Sequence, residues 1–471
     1  LAGLFDPKDG LAYTREAPWT PRRACIFSQS SAMLGLLAWH EETGSPEARG
    51  LLDRQVDGLM KIALDKGSHA FFPKYEFDGK DYVDDPKGKD SPAWYGGRLI
   101  LPLVEHWKLS GRVDVRAFAE KLARYSIEVN ESVKPDGEVR GNGWWGHLHS
   151  TMDMAAVIAE LGRLTGRAEW VAWARRVYDW IGRTHTNRYG WVSDAAGSAI
   201  CESCAIASRF RLGLALRKAG AADPHGEIDR YLRNQLLENQ FVDLGFLAPM
   251  APETPRTDRA TYRGIDRMIR GTFQCWGTAN DLIGHDDIEG CGAGGGVQAL
   301  ALAWNAQAEW MDGAKGKELV VHLLFNRLVR GPAEPPLGAG MPVAAEIWSH
   351  LPCEGRVEVV LHRAVPRISL RLPDGADASG CRLRRGGKDL PAEMEGPYAI
   401  VPDAAAGERV DVTFPLKEYE TVEAARDKTY RVGWKGSSVL SIDPPGAKVP
   451  LYSGRARHRE RAAPRSGPRY P

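Results

Sequence analysis

Three short stretches carry side chains whose types and spacing could do chemistry. In "AICESCAIASRF", Cys201, Glu202 and Cys204 place two thiols and a carboxylate within four residues. In "EGCGAGGGVQALALAWN", Cys291 stands in a glycine-rich turn that opens an apolar helix. In "GNGWWGHLHSTMDM", Trp144 and Trp145 precede the alternating His147 and His149. The CESC motif reads as a redox pair, as half of a metal site, or as two buried cysteines. A redox pair calls for a strand before it and a helix after it in a βαβ setting. Here the motif instead opens "CAIASRFRLGLALRKAG" inside a helical region. A structural zinc site wants a second CxxC or a CxxH, and the chain has neither. Convergence of two helix starts is the remaining route. A cysteine at a helix N-terminus has its thiolate favoured by the dipole and by free N–H groups. Glu202 and Cys204 from one such start and Cys291 from another would make an O,S,S set suited to zinc. Three buried small residues are the alternative.

The other polar groups are read the same way. The indoles of Trp144 and Trp145 suit the faces of sugar rings, and His147 and His149 suit hydroxyls. They read equally as barrel-lining groups satisfied by backbone. Asp281 and His285, in "NDLIGHDDIEGC", are solvated loop charges or further ligands beside Cys291. "GAGGG" lacks the spacing and the Lys of a phosphate-binding loop, which argues against nucleotide chemistry.

The elements that must position these groups are helical up to about residue 312. "SPEARGLLDRQVDGLMKIALDKG" has Ser45 as N-cap, Pro46 at the first helical position and apolar Leu52, Val56, Leu59 and Ala63 on one face, with Gly67 following the last turn. Junctions of similar type recur at Gly44, Gly111, Gly166 and Gly220, spaced 67, 55 and 54 residues apart. A period near 55 residues is one helical hairpin, which cannot bury its apolar face alone. Hairpins closing into an (α/α) toroid are the economical solution, with an open solenoid as the alternative. Beyond "WMDGAKGK" the period becomes two: "ELVVHLLFNRLV", "GRVEVVLHRA", "PRISLRLP", "YAIVPD", "RVDVTFPL" and "SSVLSID" read as strands of an antiparallel sandwich. The expected domains are a toroid over 1–314 and a sandwich over 315–453. A basic, proline-rich tail over 454–471 is expected to be disordered.

Composition narrows the function classes. Of 471 residues, 62 are Lys or Arg and 61 are Asp or Glu, a net charge of +1 that argues against general nucleic-acid or membrane-surface binding. No apolar run reaches the length of a membrane span. Seven scattered cysteines do not make a disulfide framework. The chain opens "LAGLFDPKDG", which reads like the interior of a longer product, so the missing leader proves nothing; the cytoplasm is the favoured compartment.

The chain resembles the β-L-arabinofuranosidase family, glycoside hydrolase family 127, and especially its bacterial relatives. The resemblance rests on "CESC" and "GCGAGGGVQALALAW", and extends to "GTFQCWGTANDLI", "ELVVHLLFNRLV", "SHLPCEGRVEVV" and "SVLSIDPPGAKVPLY". It implies an (α/α)6 barrel, lacking its start here, followed by β-sandwich domains. It implies zinc held by Glu202, Cys204 and Cys291, with Cys291 as nucleophile, and relatives carry a His-x-His segment where His147 and His149 stand. Two departures qualify it. Gly292 occupies the place of the family's second Cys, so one ligand is expected to be lost unless Asp281 or His285 replaces it. The family's acid/base Glu lies about sixteen residues before the Glu-Thr-Cys motif, which falls here near "THTNRYG", without a carboxylate. Asp194 in "YGWVSD" is the nearest candidate, though it also reads as a turn cap. The expected function is a retaining, zinc-associated furanosidase acting on a carbohydrate substrate. The alternatives are a carbohydrate-binding or structural protein with a decayed site, and a metal-free glycosidase acting on uronates.

Overall fold

The computed structural model describes residues 2–16, 21–83, 92–140, 147–247, 264–284, 290–332 and 342–455. Contacts divide the chain into two compact units, Leu1–His185 with Ser193–Ser198 and Arg211–Asp223, and Thr186–Val192 with Ala199–Phe210 and Pro224–Pro471.

The first unit is built from helical hairpins. Its helices are α1 (Ile26–Thr43), α2 (Pro46–Ile62), α3 (Pro92–Ser110), α4 (Val113–Arg124), α5 (Leu148–Thr165) and α6 (Ala168–Thr184). Each hairpin partner packs on the other, and α1, α3 and α5 also pack in succession. The recurring junction glycines have one physical cause. Gly44, Gly111, Gly166 and Gly220 all adopt left-handed backbone, with φ of 68°, 71°, 71° and 70°, which closes a helix and turns the chain without a Cβ clash. Ser45 caps α2 by accepting from the Ala48 N–H at 3.2 Å. That helix stops before Gly67: Ala63 is extended, because Leu64–Asp65 pair with Ala70–Phe71 as a small hairpin. Helix α6 buries one face, including Trp170, Trp173, Val177 and Ile181, whereas α5 is buried on nearly every side. Of this pair, α5 therefore sits inside and α6 turns one face to water.

In the second unit the helices are the start of α7 (Ser203–Lys218), α8 (His225–Tyr231), α9 (Ile265–Ile269) and α10 (Gly290–Ala306). Strands follow at once, from Ala308. A six-stranded antiparallel sheet runs, in spatial order, Lys388–Pro391, Arg382–Arg385, Arg409–Thr413, Arg356–Leu361, Val343–Ser349, Arg327–Arg330. A five-stranded sheet runs Glu393–Glu395, Tyr398–Ala404, Val365–Arg371, Gly316–Val321, Ala308–Gly313. Its one parallel pair joins Val365–Arg371 to Gly316–Val321. Alternate residues such as Val357, Val359 and Leu361 of one sheet and Ile368 and Leu370 of the other fill a shared core. A three-stranded meander, Glu418–Ala425, Lys428–Lys435 and Ser438–Asp443, follows the two sheets in the chain. The tail expected to be disordered falls, from residue 456, outside the described residues. Among the described residues, no helix is long and apolar enough to cross a membrane.

Candidate metal centre

Two helix starts and one loop bring four acidic donors together within the second unit. Cys204 is the second residue of α7, Glu202 immediately precedes that helix, and Cys291 is the second residue of α10. The fourth donor is Cys275. Ligand atoms of Glu202, Cys204, Cys275 and Cys291 all lie within 4.8 Å of one another. Cys204 Sγ is 3.6 Å from Cys291 Sγ and 3.3 Å from Glu202 Oε2. Cys275 Sγ is 3.1 Å from Cys291 Sγ and 3.5 Å from Glu202 Oε1. Tetrahedral zinc–sulfur bonds of about 2.3 Å place sulfurs roughly 3.8 Å apart, so the set spans the volume of one tetrahedral ion.

The glycine-rich start of α10 makes this approach possible. A Cβ on Gly292 would stand 2.6 Å from the Cys275 backbone nitrogen and 2.7 Å from its Cα. On Gly295 it would stand 2.4 Å from Cys204 Cα, and on Gly296 2.0 Å from the Phe273 ring. Three helical positions are therefore bare because the other two ligand-bearing segments press against the helix backbone. "GAGGG" is a packing surface.

Electrostatics also suit a cation. Sharing hydrogen with Cys275 and with Cys291, burial, and the nearby Glu202 carboxylate hold the Cys204 thiol well above its ordinary pKa. At Cys275, hydrogen bonding to Cys204 works downward but is outweighed by Cys291, burial and Glu202, and the thiol is again raised. Four acids packed this tightly cannot all ionise alone; a divalent cation at their centre removes that conflict. Thiolates and a carboxylate in tetrahedral array fit zinc.

These positions correct the expectation built on Gly292. A third sulfur stands in the cluster, that of Cys275, sixteen residues before Cys291. Asp281 is committed elsewhere: its carboxylate accepts from the N–H groups of Ile283, Lys448 and Val449 at 3.1, 2.6 and 2.9 Å. His285 lies outside the described residues, as do Trp144 and Trp145. The signal for Cys275 lies in "GTFQCWGTANDLI", a further cysteine in the helical part of a chain whose family pattern calls for one more than Cys204 and Cys291. Cys201 turns away from the cluster towards Asn239, whose Nδ2 is 3.9 Å from its sulfur.

His147, His149 and Asp194 belong to the first unit and meet at the start of α5. His147 caps that helix, its Nδ1 accepting from the Ser150 N–H at 3.4 Å, which leaves the ring proton on Nε2. His149 Nε2 accepts from Arg98 Nη2 at 2.6 Å, so its proton sits on Nδ1, which lies 3.8 Å from Asp153. Arg211 also pairs with Asp153, at 2.5 Å. Asp194 is half-buried, and its carbonyl accepts from the Leu148 N–H at 2.8 Å.

No protein-family model and no curated protein matches the sequence. Solved structures do match its fold. One is a GH127 β-L-arabinofuranosidase from Geobacillus stearothermophilus T6, with a TM-score of 0.58 at 12% identity over 88% of this chain and 66% of that one. Another, described as a glycoside hydrolase, has a TM-score of 0.62 at 13% identity over 93% of this chain and 71% of that one. A third, a GH127 β-arabinofuranosidase, gives 0.61 at 13% identity over 93% and 70%. This chain thus spans about two thirds of the first structure's length. The likeness is to the family that the motifs resemble, and the fold class is the expected one, a toroid of helical hairpins followed by antiparallel sheets.

Proposed function

We propose that this chain is a retaining glycoside hydrolase acting on L-arabinofuranosides or related furanosides, with zinc held by Glu202, Cys204, Cys275 and Cys291 and with Cys291 as nucleophile. The observation that carries this reading is the uneven exposure of one tight donor set. Cys291 is exposed, whereas Glu202, Cys204 and Cys275 are buried. A structural site closes every side against water; a site that works on a substrate keeps one side open. Zinc, when bound, supplies the positive charge that favours thiolate at neutral pH.

The chain's own groups then divide the work. Cys291 Sγ attacks the anomeric carbon, and the glycosidic C–O bond breaks as the C–S bond forms. The leaving oxygen takes a proton from a carboxylic acid, for which Asp194 is the candidate. The resulting carboxylate removes a proton from water, whose oxygen displaces the sulfur and releases the sugar with its original anomeric configuration. His147, with its proton on Nε2, suits a sugar hydroxyl acceptor. His149 joins it only by exchanging its bond to Arg98. Trp144 and Trp145 would supply ring-stacking surface.

The test is metal analysis together with an assay on p-nitrophenyl furanosides. About one zinc per chain is expected, with turnover lost in Cys291→Ser. Wild-type turnover in that variant would sink the cysteine mechanism. Full activity in protein free of metal would favour the carboxylate chemistry of uronate-acting glycosidases.

A further inference from the structure

The CESC motif contains two residues that hold no metal, Cys201 and Ser203, and the second of these begins a buried chain of hydrogen bonds. Ser203 Oγ donates to the Gln274 carbonyl at 2.6 Å. Asn239 Nδ2 donates to Ser203 Oγ at 3.2 Å. Gln235 Nε2 donates to Asn239 Oδ1 at 3.0 Å. Tyr452 OH, from the last described turn of the chain, donates to Gln235 Oε1 at 3.2 Å. Each bond fixes the sense of the next, because an amide whose oxygen is already engaged must present its nitrogen onward. Ser203, Gln235, Asn239 and Gln274 are all fully buried.

The chain ends at the two ligand segments. Ser203 lies between Glu202 and Cys204, and Gln274 adjoins Cys275. The latch is doubled, since the Gln274 N–H donates to the Asn239 carbonyl at 2.8 Å. Gln274 Oε1 in turn accepts the Cys275 N–H at 2.8 Å. Cys204 is carried by the first turn of α7, so the latch matters most for the other segment. Cys275 sits in an irregular stretch, and its sulfur must stay within a few tenths of an ångström to serve as a ligand.

We infer that Ser203 and Asn239 are positioning residues, forming a latch that fixes Cys204 and Cys275 at the separation one metal ion requires. This inference rests on the metal reading proposed above. Outer hydrogen-bond partners orient metal ligands, and their loss typically weakens metal binding about 10- to 100-fold. Ser203→Ala strands the Asn239 amide and frees the Gln274 carbonyl, whereas Ser203→Thr keeps a hydroxyl that donates and accepts. Asn239→Leu removes the side-chain half of the latch while keeping its bulk and the backbone bond from Gln274.

The experiment uses the full chain and cobalt(II) as probe. Expected are a thiolate–cobalt spectrum in the wild type, an altered spectrum with about 10- to 100-fold weaker binding by chelator competition in Ser203→Ala and Asn239→Leu, and recovery in Ser203→Thr. A role confined to folding would lower the unfolding midpoint of the metal-free variants yet leave the spectrum of bound cobalt unchanged, and that result overturns the latch. A second readout needs no metal. Diamide should close a disulfide within the cysteine cluster of metal-free wild-type protein faster than in Ser203→Ala or Asn239→Leu. If the wild type binds no cobalt, the metal reading fails by itself, and the latch then stands on faster wild-type closure and falls on equal rates.

Discussion

Placing a side chain at Gly292 should damage the candidate metal centre, although the family resemblance suggests that a cysteine belongs there. The Cβ would lie 2.6, 2.7 and 2.8 Å from the nitrogen, Cα and Cβ of Cys275, where ordinary contact begins at 3.4 Å. Relief of the closest contact therefore needs a shift of 3.4 − 2.6, or about 0.8 Å, of backbone that cannot rotate aside. Ligand distances in a metal site tolerate about 0.2 Å, so Cys275 is carried well beyond reach. Gly292→Ala is expected to destabilise the metal-free protein by about 1–3 kcal/mol and to weaken metal binding as well. Gly295→Ala should do the same through Cys204, whose Cα is 2.4 Å from the added carbon. Gly294 provides the control on the same helix: it is exposed, and an added Cβ there meets nothing within 4 Å. Gly294→Ala should stabilise the helix by about 0.5–1 kcal/mol and leave metal binding alone. Denaturant unfolding of metal-free protein and chelator competition measure the two effects separately. Tighter metal binding by Gly292→Cys than by the wild type would refute the reasoning, since position 292 would then be a vacant ligand place.

Other expectations follow from individual residues. Asp281→Ala should cost about 3 kcal/mol in unfolding free energy, because three backbone N–H groups lose a charged acceptor, while metal content stays unchanged; a loss of metal with undiminished stability would return Asp281 to the ligand set. In metal-free protein at pH 8, alkylation should reach the exposed Cys291 well before Cys381, whose thiol burial pushes up to about 11. Peptide mapping that finds Cys381 modified first would contradict this order. Asp194→Asn should leave metal content intact and reduce turnover on a furanoside with a poor leaving group more than on p-nitrophenyl substrates; equal turnover on both would remove Asp194 as the acid.

The hairpins were legible because their punctuation is local. A glycine that turns the chain within a hairpin takes positive φ at little cost, so Gly44, Gly111, Gly166 and Gly220 declare themselves in the sequence. Alternation in "GRVEVVLHRA" is local in the same sense, and Arg356–Leu361 is the strand it predicts. The parallel pairing of Val365–Arg371 with Gly316–Val321 could not be read, because the register of residues 49 apart in sequence, such as Ile368 and Leu319, is set by the sheet as a whole. The end of α2 was misplaced for a related reason: the pairing of Leu64–Asp65 with Ala70–Phe71 took the chain out of the helix before its glycine.

Cys275 shows where local reading of a site stops. Glu202, Cys204 and Cys291 announce themselves by standing at helix starts, a position whose electrostatics are fixed by the helix alone. Cys275 stands in irregular backbone, and its fitness as a ligand comes from what packs around it. The absence of a side chain at Gly292 lets the backbone of Cys275 approach α10, and the Cys275 sulfur then lies beside Cys291. Gly292 and Cys275 are thus one feature seen from two segments. A sequence position that looks like a lost ligand is the space through which its replacement arrives.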